Sequence, residues 1–250
     1  MEPTAEGLRR LRSWLETEPV RYAHVIHLLG FPAEDVHVWV DDTRRPRAVL
    51  GIRPHTGGLV AAADPPEKIM DLIHHLPNGE YRPRSVDVEL VPHLETGIAA
   101  TFRPPVWLYQ MGPADLRPTR VRETRPVKPE EAGTIAALWS PERESSAYVR
   151  RRIEAGISSG IEVDDELVAW DMTHFETDRV VMLGFLHVKE AFRGRGYAKT
   201  VTTATAEKVF AKGKMAAAEV FEDNQASIQL TEGMGFRRVK RQAWGDGVKA

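Results

Sequence analysis

The sequence predicts an α/β fold with mixed sheets, in two parts: a smaller N-terminal α/β domain over residues 1–115 and a C-terminal α/β domain over residues 116–250. Three observations carry this. From Ser158 onward, apolar strand patterns alternate with helical ones across short turns, as in an α/β unit. All 17 prolines lie at or before Pro141, and six of them (Pro104, Pro105, Pro113, Pro118, Pro126, Pro129) crowd one stretch. Proline removes a backbone donor and disfavours helix in the residue before it, so that stretch reads as extended chain with a boundary between residues 112 and 118. The third observation is length: 250 residues suffice for one large domain or two small ones.

In the first part, residues 5–15 and 20–29 carry apolar side chains at helical spacing (Leu8, Leu11, Leu15; Ala23, Ile26). Residues 36–40 alternate apolar and polar, as a half-buried strand does. Residues 48–52 and 58–62 fit two more strands. Residues 66–75 fit a helix opened by proline, and residues 86–91 and 106–111 fit further strands. The adjacent pair His74-His75 points two ways on a helix, and His24 and His27 lack an acidic partner nearby. Both pairs read as ordinary helix histidines.

The second part is more regular. Residues 120–124 read as a strand, and residues 129–138 as a helix with Glu130 and Glu131 in the first turn, where negative charge suits the helix dipole. Residues 145–155 form a second helix bearing Arg150, Arg151 and Arg152, read as a solvated face. Residues 158–163 and 167–174, joined by Asp164-Asp165-Glu166, read as a hairpin. Residues 180–188 are a long apolar strand, residues 196–212 a helix, 215–221 a strand, 225–234 a helix and 236–244 a last strand.

Composition excludes several classes. A formal net charge of -2 gives no general drive toward nucleic acid or anionic membrane, so neither is expected as a partner. Cysteine is absent, which removes disulfides, thiolate metal sites and cysteine nucleophiles; no metal spacing occurs either. The N-terminus is broken by Arg9, Arg10 and Arg12, unlike a signal peptide, and no apolar run approaches the roughly 18 residues of a membrane span. The expected protein is soluble and cytoplasmic.

The segment with chemistry runs from Val188 to Ala198: Val-Lys-Glu-Ala-Phe-Arg-Gly-Arg-Gly-Tyr-Ala, between an apolar strand and a helix. Glycines let the backbone approach a ligand closely. A helix start presents unpaired N–H groups and partial positive charge, and Arg193 and Arg195 add formal charge there. A diphosphate fits such a place. With the residues downstream, the sequence resembles the GNAT superfamily of CoA-dependent N-acyltransferases. The superfamily's loop reads Arg or Gln, two residues, Gly, one residue, Gly or Ala, matched by Arg193, Gly196 and Ala198. Val220, Asn224, Ser227, Leu230, Thr231 and Gly235-Phe236 follow at matching spacings. The finer resemblance is to glycine N-acyltransferase-like proteins, through the longer N-terminal half, the pattern Glu166-Leu167-Val168-Ala169-Trp170 and Trp244. The resemblance implies a C-terminal GNAT fold; the preceding half is a separate α/β domain or a degenerate GNAT-like one without the loop.

It also implies roles. Leu186 and Val188 would pair with pantetheine amides, as an added strand does. The Val188 N–H would face the thioester oxygen; one such donor contributes ~3–4 kcal/mol in a transition state. Arg193, Gly194, Arg195, Gly196, Tyr197 and Ala198 would hold the pyrophosphate. Asn224 and Ser227 would meet the pantetheine or the amine, although Asn224 also suits a helix cap. Acetyl-CoA or another acyl-CoA would be the co-substrate, and a neutral amine would attack its thioester directly. Relatives often carry the base on the pocket side of the strand before the loop. Here Val180, Met182 and Gly184 stand on that side and none titrates, leaving Asp171, His174 and His187, with His187 taken as the catalytic candidate. Strand alternation puts Asp171 and His174 on opposite faces. Thr231 stands where relatives usually have a tyrosine acid for the departing thiolate, and Glu190 where they commonly have proline.

Three functions follow: an acyltransferase acting on the primary amine of a small molecule or amino acid, a protein or peptide N-acetyltransferase, and a catalytically weak acyl-CoA-binding protein. The first is preferred, as a monomer or homodimer.

Overall fold

The computed structural model describes every residue of the chain except Arg143. Contacts divide it into two compact units, Met1–Leu108 with Val220–Asp223 and Val239–Ala250, and Tyr109–Glu219 with Asn224–Arg238.

The first unit opens with helix α1 (Ala5–Leu15), whose first turn is capped by the Thr4 hydroxyl accepting from Gly7 N. Helix α2 (Ala23–Leu28) follows, then strands β1 (His37–Val40), β2 (Ala48–Arg53) and β3 (Gly58–Ala63). These three pair antiparallel in sequence order, with Trp39 opposite Leu50 and Leu50 opposite Ala61. Leu11, Leu15, Val25 and Ile26 pack on one apolar face of this meander, with Val40, Val49 and Val60. The other face gathers Leu50, Leu59, Leu72, Leu90 and Leu94.

Two expectations in this unit need correction. The single helix over 66–75 is a 3-10 turn (Pro66–Ile69) followed by α3 (Met70–Ile73). Next come β4 (Gly79–Pro83) and β5 (Val86–Asp87), and the strand expected over 86–91 stops at Asp87. The buried Asp87 carboxylate is tied by Arg21 at 2.7 Å and by Gln242 Nε2 at 3.1 Å. Val88–Leu90 then turn into α4 (Val91–Leu94), with Pro92 in its first turn, where a missing N–H costs nothing. Strands β4 and β6 (Ala99–Phe102) were both unforeseen.

Strand β7 (Val106–Met111) leads into the second unit, which contains α5 (Ala132–Trp139), α6 (Ser146–Ala155), β8 (Ser158–Val163), β9 (Glu166–Glu176), β10 (Val180–Val188), α7 (Tyr197–Ala211), β11 (Met215–Phe221) and α8 (Gln225–Gly233). Strand β12 (Arg237–Ala243) begins there, and β13 (Gly245–Lys249) ends the chain in the first unit, between β4 and β6. The second unit's sheet reads β12-β7-β11-β10-β9-β8, to which β7 and β12 give Tyr109–Met111 and Arg237–Arg238. Strands β8, β9 and β10 are antiparallel neighbours; β11 runs parallel to β10. On one face, Ile135, Val149 and Ile153 of α5 and α6 pack with Trp170, Met172 and Phe185. On the other, Tyr197 and Val201 of α7 pack with Ile161, Val168 and Ala169.

The strand expected over 120–124 does not form. Thr119 N donates to Thr203 Oγ1 at 3.1 Å and Val121 N to Thr200 Oγ1 at 3.2 Å, so these donors go to helix α7 instead of a ladder. The segment reaches β8 through one bridge, Arg125 with Gly160. There the Arg125 guanidinium joins Glu131 at 2.5 Å and Glu162 at 2.6 Å.

Candidate functional site

The site grows from an interruption in one strand. Pairing between β10 and β11 runs from Val180 opposite Met215 to Leu183 opposite Ala218 and goes no further, while β10 continues to Val188. On its other side β10 stays with β9, through Gly184 opposite Met172 and His187 opposite Trp170. Phe185 and Leu186 on β10 thus oppose Asp171 alone on β9, which is a β-bulge. Phe185 takes the left-handed conformation there, at φ 59°.

The consequence appears three residues on. Lys189 N donates to Val168 O at 2.9 Å. In an antiparallel pair, inward and outward backbone groups alternate, so the N–H of Val188 points away from β9, toward the edge that β11 has left. The Val188 carbonyl accepts from Arg193 Nε at 3.2 Å. Leu186 is 37% exposed, as a residue beside an open edge would be. Strand β10 therefore ends with a donor that points out of its ladder with β9.

Beyond it, a 3-10 turn (Glu190–Phe192) feeds the glycine loop. Gly194 (φ 76°) and Gly196 (φ 77°) are both left-handed, and Gly196 is the N-cap of α7. A Cβ on Gly194 would meet nothing within 4 Å, so the backbone there faces open space; one on Gly196 would touch Val121 at 3.3 Å. Arg193 and Arg195 are exposed, and Arg195 folds back onto Ala191 O and lies over the Phe192 ring. Tyr197 is buried and anchors the first turn of α7 in the core. Leu186 through Ala198 thus form one continuous edge, loop and helix start, with the partial positive charge of a helix N-terminus and two guanidinium groups. Asn224 caps α8, its Oδ1 accepting from Ser227 N at 3.1 Å. Thr231 lies buried on α8, its carbonyl accepting from Phe236 N at 3.2 Å.

The three titratable candidates separate. Asp171 is fully buried, facing α7 among Thr202 and Thr205, and burial pushes its pKa up to about 7. The Thr202 hydroxyl is near enough to pull that value down in part. Yet Asp171 Oδ2 and Thr202 Oγ1 are both buried without a hydrogen-bond partner among the described residues. His187 stacks on Trp170 with ring centroids 4.8 Å apart. Burial first, then Arg193 and Lys189, hold its pKa below the ordinary value, so the imidazole is neutral at neutral pH. His174 lies on the α5/α6 face with Phe185 (4.3 Å) and Trp139 (5.8 Å), its Nδ1 3.2 Å from the Tyr148 hydroxyl. Asp171 and His174 are thus on opposite faces, as alternation requires. Tyr148 and Trp139 were missed by sequence reasoning. Their only signal was aromatic residues on two helices of otherwise ordinary pattern. A separate groove of about 420 Å³ runs between residues 120–124 and α7; neither His187 nor Val188 lines it.

Residues 155–245 match the FR47-like protein family. No curated protein matches the chain. Among solved structures, a Drosophila protein superposes with a TM-score of 0.76 at 14% identity, covering 98% of this chain and 96% of its own. A GCN5-related N-acetyltransferase from Kribbella flavida gives 0.62 at 16% identity, covering 91% and 95%. A tandem GNAT protein from the clavulanic acid biosynthesis pathway gives 0.54 at 13%, covering 88% and 85%. At these identities the likeness is one of fold. The chain has a mixed α/β fold of the kind these GNAT proteins have.

Proposed function

We propose that the chain is an acyl-CoA-dependent N-acyltransferase. It would move an acyl group, acetyl in the simplest case, to the primary amine of a small molecule or amino acid by direct attack. The observation that carries this is the end of β10. Its pairing with β11 stops after Leu183, and the Val188 N–H points out of the ladder just before a glycine loop that opens α7. A thioester oxygen needs such a preorganised donor, and a diphosphate needs such a helix start.

In this reading residues 116–250 carry the reaction and residues 1–115 form the accompanying domain. Leu186 and Val188 pair with pantetheine amides. Arg193, Gly194, Arg195, Gly196, Tyr197 and Ala198 hold the pyrophosphate, mostly through backbone N–H groups. Asn224 and Ser227 border the pantetheine while capping α8. The Val188 N–H stabilises the oxyanion. His187, kept uncharged, takes the proton that the adduct nitrogen sheds as the carbon–sulfur bond breaks, and Thr231 supplies a hydroxyl toward the departing sulfur. An alcohol is a weaker acid than tyrosine. A thiol of pKa ~8.5 leaves tolerably well without a strong acid, so the substitution slows turnover and does not abolish it.

Titration calorimetry with acetyl-CoA, CoA and a longer acyl-CoA tests this, repeated on Gly196→Trp. Tryptophan is strained at φ 77° and fills the loop. Binding by the wild type and at least about 100-fold weaker binding by the folded variant is expected, the loss of several charge-assisted bonds. A folded wild type that binds none of the three would leave only a shared fold.

A further inference from the structure

We propose that the first unit binds a nucleotide, in an arginine-lined groove between α1 and the loop of residues 41–47, with the phosphates on the guanidinium groups and the base on Trp14. The groove lies wholly in that unit and shares no residue with the edge, loop and helix start described above. It does not rest on the acyltransferase reading.

The groove has a volume of about 540 Å³, within the range of small-molecule sites. Four of the residues that line it are arginines (Arg10, Arg44, Arg45 and Arg47), and the Trp14 indole forms part of the wall. None of the described residues lining it carries a carboxylate.

Both walls are held in place. On α1, Arg10, Ser13 and Trp14 stand at positions i, i+3 and i+4, and so share one face. The Trp14 ring lies 5.4 Å from that of Tyr22 and is half-buried. Across the groove, the loop spends its two acids on its own backbone. Asp42 Oδ1 accepts from Arg44 N at 2.6 Å and Arg45 N at 3.3 Å. Asp41 Oδ1 accepts from Arg47 N and Ala48 N, both at 2.9 Å, and its Oδ2 from Lys68 at 2.7 Å. Arg10 Nη1 donates to Arg44 O at 3.2 Å and ties the helix to the loop.

The charge around this space is poorly compensated. Arg10 shares Glu6 with Arg9, and Arg47 stands 3.3 Å from Asp64. All of these side chains are about half exposed or more, where water weakens an ion pair. Arg44 and Arg45 are exposed, and neither pairs with a carboxylate among the described residues. The whole chain has a formal net charge of -2, so this concentration is local and not part of a generally basic surface. Like charges around one concavity repel each other, and its walls focus their field inward. A ligand with several anionic oxygens relieves that repulsion. The guanidinium fork matches phosphate in particular, and consecutive phosphates span neighbouring forks as a single carboxylate does not. An indole beside the forks suits the flat face of a base. A nucleic-acid strand needs successive aromatic platforms along a continuous basic track. Here one indole and four guanidinium groups close on one space, which favours a free nucleotide.

Titration calorimetry at low salt with ATP, AMP, adenosine, inorganic pyrophosphate and single-stranded oligoadenylate tests this. The proteins are the wild type, the double variant Arg44→Ser/Arg45→Ser, Trp14→Leu and Gly196→Trp. ATP is expected to bind the wild type with one equivalent per chain, at least about tenfold more tightly than AMP, and adenosine far more weakly still. The double variant, altered only at exposed side chains, should lose at least about 30-fold in affinity for both ATP and pyrophosphate. Trp14→Leu, which keeps apolar bulk and removes the ring, should lose about tenfold for ATP and less than about twofold for pyrophosphate. Gly196→Trp should bind ATP as the wild type does, which separates this groove from the loop before α7. A wild type that binds neither ATP nor pyrophosphate at about 1 mM would overturn the proposal. So would undiminished binding by the double variant, or loss of ATP binding in Gly196→Trp. An equal loss of ATP and pyrophosphate in Trp14→Leu would overturn the base-stacking role of the indole. Oligoadenylate binding more than about tenfold tighter than ATP would replace the free nucleotide with a nucleic-acid strand.

Discussion

Replacing Asp171 with asparagine is expected to stabilise the protein by about 2–4 kcal/mol above pH 7, with the gain shrinking to nothing near pH 4. The carboxyl is fully buried, its Oδ2 lacks a hydrogen-bond partner among the described residues, and burial raises its pKa from 3.8 to about 7. A raised acid pKa means the folded chain holds the proton more tightly than the unfolded chain. Below pH 4 both states are protonated and the group is neutral to stability. Between pH 4 and 7 the unfolded chain ionises and the folded one does not, so stability falls as pH rises, by at most about 1.4 kcal/mol per pH unit. Above pH 7 both ionise and the full cost persists. Asparagine has nearly the shape of the protonated acid and no charge to bury, so the variant lacks this slope. Other carboxylates run the opposite way: Glu162 and Glu176 have lowered pKa values through Arg125 and the paired lysines. The informative quantity is therefore the difference between wild type and variant in urea unfolding at pH 4 to 9. A difference that stays constant across that range would show that Asp171 titrates normally in the fold.

What the sequence disclosed and what it withheld divide along a physical line. Helices and central strands were legible because burial of one face imposes a period. Leu11 and Leu15 are spaced for a helix, and β8 through β11 appear as apolar runs between turns. Strands β4 and β6 were not legible. Gly79–Pro83 and Ala99–Phe102 are short and half exposed, and their partner β13 is more than 140 residues away. The strand expected over 120–124 failed for a related reason. Its pattern was adequate, but threonine hydroxyls on α7 took its donors, a competition set by tertiary contact. The loop from Arg193 to Ala198 could be picked out because glycines and arginines stand together between an apolar strand and a helical pattern, and the structure has left-handed glycines and a helix start there. The bulges could not. They depend on one extra residue in each of two paired strands, at His174 in β9 and around Phe185 in β10, and neither residue type announces it. As a result the three titratable candidates, and the opposite faces of Asp171 and His174, could be read from sequence, but not which side chains each of them meets.

The Gly235-Phe236 pair, which in the sequence contributed to a family resemblance, is expected to matter most for folding. Gly235→Ala should cost about 3 kcal/mol or more, the sum of backbone strain and overpacking. Gly235 has φ 104°, outside what side-chain-bearing residues adopt readily. A Cβ there would lie 1.9 Å from the Asp115 carbonyl oxygen and 2.9 Å from its carbon, both backbone atoms that no rotamer change can move. The segment it meets is fixed from several sides: Arg117 N donates to Met234 O at 2.9 Å, Arg237 pairs with Asp115 at 3.0 Å, and Phe236 is buried. Gly194→Ala is the internal comparison. It has a similarly left-handed φ of 76°, but nothing within 4 Å of its Cβ, so it should lose only about 1 kcal/mol of backbone preference. Thermal and urea unfolding of the two variants separates conformational strain from steric overlap. A small loss for Gly235→Ala, no greater than that for Gly194→Ala, would mean the Asp115 turn yields easily. A large loss with acyl-CoA binding retained in the folded fraction would mean that this glycine shapes the floor beneath α8 and leaves the ligand to the loop at the start of α7.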